Sequence, residues 1–238
     1  MSYIGSLVFN IFVPLWTFLV ATIGFPFLFF NSKLVTKIIG YIWAEGLLKA
    51  LYIFCGIKHK IIGEENIPEG GYIIASKHQS MWETIIFLRI LKAPAYVLKK
   101  ELLSIPMYGR YLKAMDMIAV DRKGGTNALK GLLKPASKHL KAGRPIVIFP
   151  EGTRTLPGEK TKYNPGIAFL YNSPEINVPI VPVALNSGKF WSKNSFVKKP
   201  GIITLEYLPP INPGLNKKDF ILNLQNVIED NSSKLLEY

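Results

Sequence analysis

In the run Ser76-Lys77-His78-Gln79-Ser80-Met81-Trp82-Glu83-Thr84, a histidine is followed five positions later by a carboxylate. A neutral imidazole can take the proton from an attacking hydroxyl if a carboxylate holds its tautomer and stabilises the imidazolium that forms. His78 and Glu83 are the candidates for those two roles. The run follows a strand-like stretch and precedes an apolar helical one, which makes it a strand-to-helix loop, where functional side chains concentrate. Ser80-x-x-Glu83 also matches a helix capping box, in which the carboxylate would accept from a backbone N–H instead.

A second cluster is Phe149-Pro150-Glu151-Gly152-Thr153-Arg154, at the end of the strand-like run PIVIF. Open backbone at Gly152, the Thr153 hydroxyl and the Arg154 guanidinium together suit a phosphate, whose oxygens match the two-pronged donor geometry of arginine. A loop salt bridge between Glu151 and Arg154 would use the same residues. The third cluster, Pro106-Met107-Tyr108-Gly109-Arg110 followed by Ile118-Ala119-Val120-Asp121-Arg122, brings two more arginines, one of them at a strand end. A surface pairing of Asp121 with Arg122 is the plainer use of that dipeptide.

The elements that must position these residues follow from patterning. From Gly71 onward, short β-like runs (71–76, 94–99, 116–120, 145–149, 178–185 and 202–208) alternate with helical ones. That alternation predicts an α/β fold, a mixed and mostly buried sheet flanked by helices. Between Thr126 and Ala142 the residues Leu129, Leu132, Leu133, Ala136 and Leu140 recur at helical spacing, with Lys130, Lys134, Lys138 and Lys141 along the other side and a kink expected at Pro135. From Arg89 to Arg144, thirteen basic residues face three acidic ones, Glu101, Asp116 and Asp121. Such a balance suits a solvated face, anionic lipid or an acidic carrier protein. Nucleic acid is not expected, because no zinc-finger, helix-turn-helix or RNA-binding signature accompanies the charge. Lys217 to Leu236 reads as an amphipathic helix with no chemistry assigned.

The N-terminus is a different material. Residues 1–32 carry no charged side chain, and Ile4 to Phe30 is almost wholly apolar, long enough at about 1.5 Å per residue to cross a hydrocarbon core. Pro14 and Pro26 interrupt it, so a kinked segment inserted in one leaflet competes with a straight span. A second apolar stretch, Leu34 to Ile57, carries Lys37, Glu45 and Lys49 and reads as an interfacial or docking helix with Tyr41, Trp43 and Tyr52 at headgroup level, or else as a buried core helix. The expected division is a membrane-embedded or interfacial segment over 1–57 and a cytoplasmic α/β domain over 58–238. Lysines 33, 37, 58 and 60 put that domain on the cytoplasmic face of the cytoplasmic membrane by the positive-inside tendency.

Composition narrows the classes further. With 238 residues, 49% hydrophobic and a net charge of +13, the chain can bury a real core and is not disordered. A single Cys55 rules out a disulfide framework, and three scattered histidines, His59, His78 and His139, offer no zinc-ligand spacing, so no metal is expected.

Taken in order, His78-x4-Glu83, Gly109 with Asp121-Arg122, Phe149-Pro150-Glu151-Gly152-Thr153-Arg154 and Val178-Pro179-Ile180-Val181-Pro182-Val183-Ala184 resemble the four blocks of the glycerolipid acyltransferase family, and most closely its bacterial 1-acylglycerol-3-phosphate acyltransferases. The resemblance covers about residues 60–210. It implies acyl transfer from a thioester, of coenzyme A or acyl carrier protein, to the sn-2 hydroxyl of lysophosphatidic acid, giving phosphatidic acid with no acyl-enzyme and no bound cofactor. It makes His78 the general base and Glu83 its partner, and it assigns Gly109, Arg110, Arg122, Glu151, Gly152, Thr153 and Arg154 to the glycerol-phosphate site. Pro179 and Pro182 fall in the last block, and Cys55 is left an inert thiol. Two features depart from the family pattern: Glu83 stands where Asp is common, and Asn164, not Lys, precedes Gly166 by two. Glycerol 3-phosphate or a lyso-aminolipid as acceptor, or a non-catalytic membrane-tethered adaptor, are the competing readings. Anionic membrane lipid is the expected surface partner.

Overall fold

The computed structural model describes residues 2–30, 32–122 and 124–237. Seven strands, β1 (Ile57–Ile62), β2 (Ile73–Ser76), β3 (Ala95–Lys99), β4 (Ile118–Val120), β5 (Ile146–Ile148), β6 (Ile180–Leu185) and β7 (Gly201–Tyr207), form one sheet in the order β1-β7-β6-β2-β5-β3-β4. Every neighbouring pair is parallel except β6 with β7. The central strands β2, β5 and β6 are buried along their whole length, as a parallel sheet covered on both faces requires.

Alternation along β2 sends side chains to two cores. Ile74 joins Val147, Val181 and Leu205 on the face covered by α1 (Ser2–Gly24), α2 (Lys33–Cys55) and α3 (Trp82–Ile90). Ile73 and Ala75 join Ile146 and Ile180 on the other, covered by α5 (Gly125–Lys141), α6 (Pro165–Tyr171) and α8 (Lys217–Glu237). The short helices α4 (Tyr108–Ala114) and α7 (Ser187–Phe190) connect strands at the edges. The mixed α/β sandwich expected from the sequence is thus the observed fold. Helix α5 continues through Pro135 as one element, held by buried Leu132, Ala136 and Leu140. Strand β1 was not among the expected strands: Lys58, His59 and Lys60 are exposed on a sheet edge, where charged residues are common and no apolar alternation announces a strand.

The N-terminal helices form a hairpin against the body. Gly46 lets α1 and α2 close up, since a Cβ there would lie 2.4 Å from the Trp16 ring. Trp16 Nε1 donates to the Trp43 carbonyl (3.1 Å), and Trp43 Nε1 donates to Thr17 Oγ1 (3.0 Å), so Trp43 ties the hairpin together rather than facing a headgroup layer. Tyr41 lies beneath Arg89, 4.7 Å from guanidinium to ring centroid, and Tyr52 is exposed. Helix α2 is also a wall of the main core, through Leu47, Leu51 and Cys55. Both ends of α1 are bonded to the α/β body: Lys198 N donates to Ser6 Oγ (2.8 Å), and Tyr111 Oη donates to the Ala21 carbonyl (2.7 Å). The outward sides of the hairpin are apolar, with Ile11, Leu15, Phe29, Phe30 and Ile38 exposed.

Candidate active site

The polar residues singled out from the sequence converge where parallel strands end. His78 lies two residues beyond β2, Arg122 two beyond β4, and the Glu151-Gly152-Thr153-Arg154 turn follows β5. Carboxyl ends of parallel strands are where open α/β sheets bind ligands, because the loops there diverge and leave a crevice. A cavity of ≈ 870 Å³ opens at this edge. Its polar lining includes His78, Lys99, Arg122, Thr153 and Arg154; its apolar lining comes from the hairpin (Val13, Phe18, Ile39) and from Leu88, Leu98 and Met117. Space lined by cations on one part and alkyl groups on another suits an anionic amphiphile.

His78 is fixed on three sides. Its ring stacks on Phe149, with centroids 4.0 Å apart and planes 17° from parallel. Its backbone N–H donates to Glu151 Oε2 (2.8 Å), and its carbonyl accepts from Thr155 N (2.8 Å). Nδ1 lies 2.9 Å from Glu83 Oε1. A carboxylate only accepts, so Nδ1 carries the proton and Nε2 the lone pair.

Glu83 serves both uses weighed for it. Oε1 takes His78 Nδ1 and also the backbone N–H groups of Gln79 and Ser80, each at 2.6 Å; the Ser80 bond is the return half of the expected capping box, although the N-cap of α3 is Met81. Ser80 Oγ meanwhile accepts from Trp82 N (3.2 Å) at the start of α3. The Glu83 side chain is fully buried. Its extra methylene relative to aspartate lets one oxygen gather the loop while the other, Oε2, accepts from Ser187 Oγ (2.8 Å), beyond the end of β6.

Of the residues grouped at a phosphate site, Arg122, Gly152, Thr153 and Arg154 line the cavity. Arg122 Nη1 also donates to the Gly152 carbonyl, which ties the β4 and β5 loops together. Gly152 has φ +70°, and a Cβ there would meet Asn164 Nδ2 at 2.4 Å, so the turn requires glycine. Asn164 itself donates through Nδ2 to the Pro150 carbonyl (3.1 Å), and Lys162 is exposed and does not line the cavity.

Three members of the group lie elsewhere. Glu151 is buried and bonded to Lys77 Nζ, His78 N and Thr155 Oγ1, so its carboxylate shapes the loop from behind and does not line the cavity. Gly109 is buried against Leu103, whose carbonyl would sit 2.1 Å from any Cβ; its part is a close backbone approach. Arg110 is exposed and packs its guanidinium over Phe25, 5.4 Å to the ring centroid, away from the cavity lining.

The sequence reading missed a buried ion cluster behind the histidine loop. Lys77 Nζ binds both Glu229 oxygens (2.8 and 2.9 Å), the Glu159 carbonyl (3.0 Å) and the Glu151 carboxylate. Tyr163 Oη donates to Glu229 Oε1 (3.0 Å); burial and the Glu229 charge push that phenol far above its ordinary value, so it remains a donor. Burial pushes the Glu151 carboxyl upward while Lys77 pulls the other way. Glu229 comes from α8, 152 positions from Lys77, and only its place among apolar residues of an amphipathic helix could have marked it.

A family model described as Acyltransferase matches residues 58–186, more than half of the chain. The chain belongs to the acyltransferase family. Among curated acyltransferases, the 1-acyl-sn-glycerol-3-phosphate acyltransferase of Pseudomonas aeruginosa is 36% identical over 170 residues, 71% of this chain and 65% of the relative, so the match spans just under two thirds of that protein. The protein of the same name from Borreliella burgdorferi is 30% identical over 203 residues, 84% of this chain and 80% of the relative. Among solved structures, the crystal structure of the 1-acyl-sn-glycerophosphate acyltransferase of Thermotoga maritima matches with a TM-score of 0.73 at 20% identity, over 98% of each chain. That likeness shows the fold.

Proposed function

We infer that this acyltransferase moves a fatty acyl group from an acyl thioester of coenzyme A or acyl carrier protein to the sn-2 hydroxyl of 1-acyl-glycerol 3-phosphate, giving phosphatidic acid. The observation that carries the reading is His78, backed by the buried Glu83, on the wall of one cavity shared with Arg122, Thr153 and Arg154 and with residues of α1 and α2. The names of the relatives at 36% and 30% identity favour the acceptor.

The chemistry follows from the tautomer. His78 Nε2 takes the proton of the acceptor hydroxyl as its oxygen adds to the thioester carbonyl. Glu83 stabilises the imidazolium, and collapse of the tetrahedral adduct expels the thiolate, which recovers that proton as a thiol. The products are an ester and a free thiol, with His78 returned neutral and no acyl-enzyme formed. Arg122 and Arg154 hold the acceptor phosphate, aided by the Thr153 hydroxyl. Glu151, Gly109 and Arg110 support the surrounding loops instead.

The hairpin holds the enzyme where such an acceptor resides. An exposed apolar surface on α1, the 3-10 segment Phe25–Phe30 and α2 favours burial in lipid, and the bonds from both ends of α1 to the body favour insertion into one leaflet over a span. The α/β body then lies on the cytoplasmic face, with its basic surface toward anionic lipid.

An acceptor panel tests the reading: the full chain with a labelled acyl thioester and, separately, lysophosphatidic acid, glycerol 3-phosphate or a lyso-aminolipid. The expected result is labelled phosphatidic acid from the first and no product from the others. Product from another acceptor with none from lysophosphatidic acid would overturn the assignment.

A further inference from the structure

Glu83 is bonded from two directions. Three donors reach Oε1 from its own loop: His78 Nδ1 at 2.9 Å and the Gln79 and Ser80 N–H groups at 2.6 Å. Oε2 is held from across the sheet by Ser187 Oγ at 2.8 Å, 104 positions away and fully buried. Since the carboxylate only accepts, the serine hydroxyl donates.

The corner that carries Ser187 is locked to the same loop a second time. Gly188 N donates to Gln79 Oε1 (3.0 Å), and a Cβ at Gly188 would lie 2.9 Å from Gln79 Cβ and from Pro157 Cγ. The turn after β6 therefore sits in van der Waals contact with the residue that follows His78, and places one hydroxyl against the oxygen that the loop itself leaves over. Three donors on Oε1 alone allow the carboxylate plane to pivot about that oxygen. A fourth donor on Oε2 fixes the plane, and with it the direction in which Oε1 presents its lone pair to the imidazole.

We propose that Ser187 is a positioning residue of the catalytic pair, holding the Glu83 carboxylate so that it orients and stabilises the His78 ring. The assignment rests on the reading of His78 as general base.

The test uses the full chain in membranes, with kcat and KM measured for Ser187→Ala, Ser187→Thr, Glu83→Gln, the Glu83→Gln/Ser187→Ala double variant and His78→Ala. Ser187→Ala should lower kcat roughly tenfold, with the KM for acceptor unchanged. Ser187→Thr, which keeps the hydroxyl, should recover most of the loss. In the Glu83→Gln background, removing Ser187 should cost less than about twofold more, because its effect runs through the carboxylate.

Wild-type kcat in Ser187→Ala would overturn the proposal. So would equal losses in both backgrounds, which would make Ser187 a packing residue only. Should Ser187→Ala fail to accumulate, Ser187→Thr against Ser187→Cys gives the same comparison of a strong and a weak donor, and equal kcat in those two would likewise overturn it. Retained turnover in His78→Ala would sink the general-base reading itself, whereas loss in His78→Ala beside wild-type behaviour in Ser187→Ala rejects Ser187 alone.

Discussion

Replacing Glu83 by Gln removes a charge while nearly preserving shape. The amide oxygen can still accept from His78 Nδ1, Gln79 N and Ser80 N, and its NH2 then faces Ser187 Oγ, a hydroxyl able to accept. What is lost is the attraction between carboxylate and imidazolium. With Nδ1 2.9 Å from Oε1, the charge centres are about 4 Å apart, and at an effective dielectric of about 20 that attraction is about 4 kcal/mol. At about 1.4 kcal/mol per tenfold, complete loss would slow turnover roughly a thousandfold. The amide dipole retains part of it, so the expected fall in kcat is about 10²–10³. A charge-assisted bond is worth about 1.5–3 kcal/mol to the fold. At about 2–4 °C per kcal/mol that lowers the melting temperature by roughly 3–12 °C and leaves the protein folded at 25 °C. The assay is initial-rate acyl transfer at saturating thioester and lysophosphatidic acid, beside a melting curve on the same preparation. Turnover within about fivefold of wild type, with the fold intact, would refute the electrostatic argument and demote Glu83 to a helix cap.

Gly152→Ala forces a Cβ to 2.4 Å from Asn164 Nδ2 at φ +70°, so activity should drop at least tenfold and stability by about 1–3 kcal/mol; wild-type melting and rate would show that the turn tolerates a side chain. His139 lies buried with Arg144 Nη1 3.1 Å from its Nδ1; since arginine only donates, the ring is neutral, and burial, then the Arg144 charge, hold it below 6.5 against the pull of Asp116. The unfolded chain binds that proton first, so the stabilisation is complete above pH 6.5 and is lost as pH falls through the lower folded value. Melting at pH 7.5 and 5.5 should show a smaller decrease for His139→Gln than for wild type, with His59, shifted the same way by burial, supplying the residual slope; equal decreases would contradict this. Ile11, Leu15, Phe29 and Phe30 changed together to Ser should abolish flotation with anionic liposomes while leaving the melting temperature within a few degrees, because all four are exposed. Undiminished flotation would remove the hairpin as the anchor. Deleting residues 1–57 is the poorer experiment, since Leu47, Leu51 and Cys55 wall the core and the deletion would open it.

Much of this architecture was legible because buried parallel strands advertise themselves. Runs such as PIVIF and VPIVPVAL are apolar on both faces, and β2, β5 and β6 lie within the stretches expected from them. The edge strand β1 was not legible, since Lys58, His59 and Lys60 contact solvent and obey no core periodicity. At the site, spacing alone joined His78 to Glu83, because both belong to one loop and the helix it opens. Motif membership placed Glu151 beside a phosphate, but its carboxylate turns inward to Lys77, a partner that only the fold brings near. Ser187 and Glu229 escaped for the same reason: they reach the loop from the start of α7 and from α8 across 104 and 152 positions, and no local pattern encodes such contacts. The hairpin was read as an anchor from its hydropathy, whereas its inner face also supplies cavity walls at Val13, Phe18 and Ile39.

The most direct measurement of the central claim is formation of labelled phosphatidic acid from an acyl thioester and lysophosphatidic acid by membranes carrying wild-type protein, beside His78→Ala at matched expression. Wild type should give product and the variant at least a thousandfold less, with membrane attachment and fold unchanged. Equal product from both would show that His78 is not the base, and no product from wild type would show that the reaction is not this one.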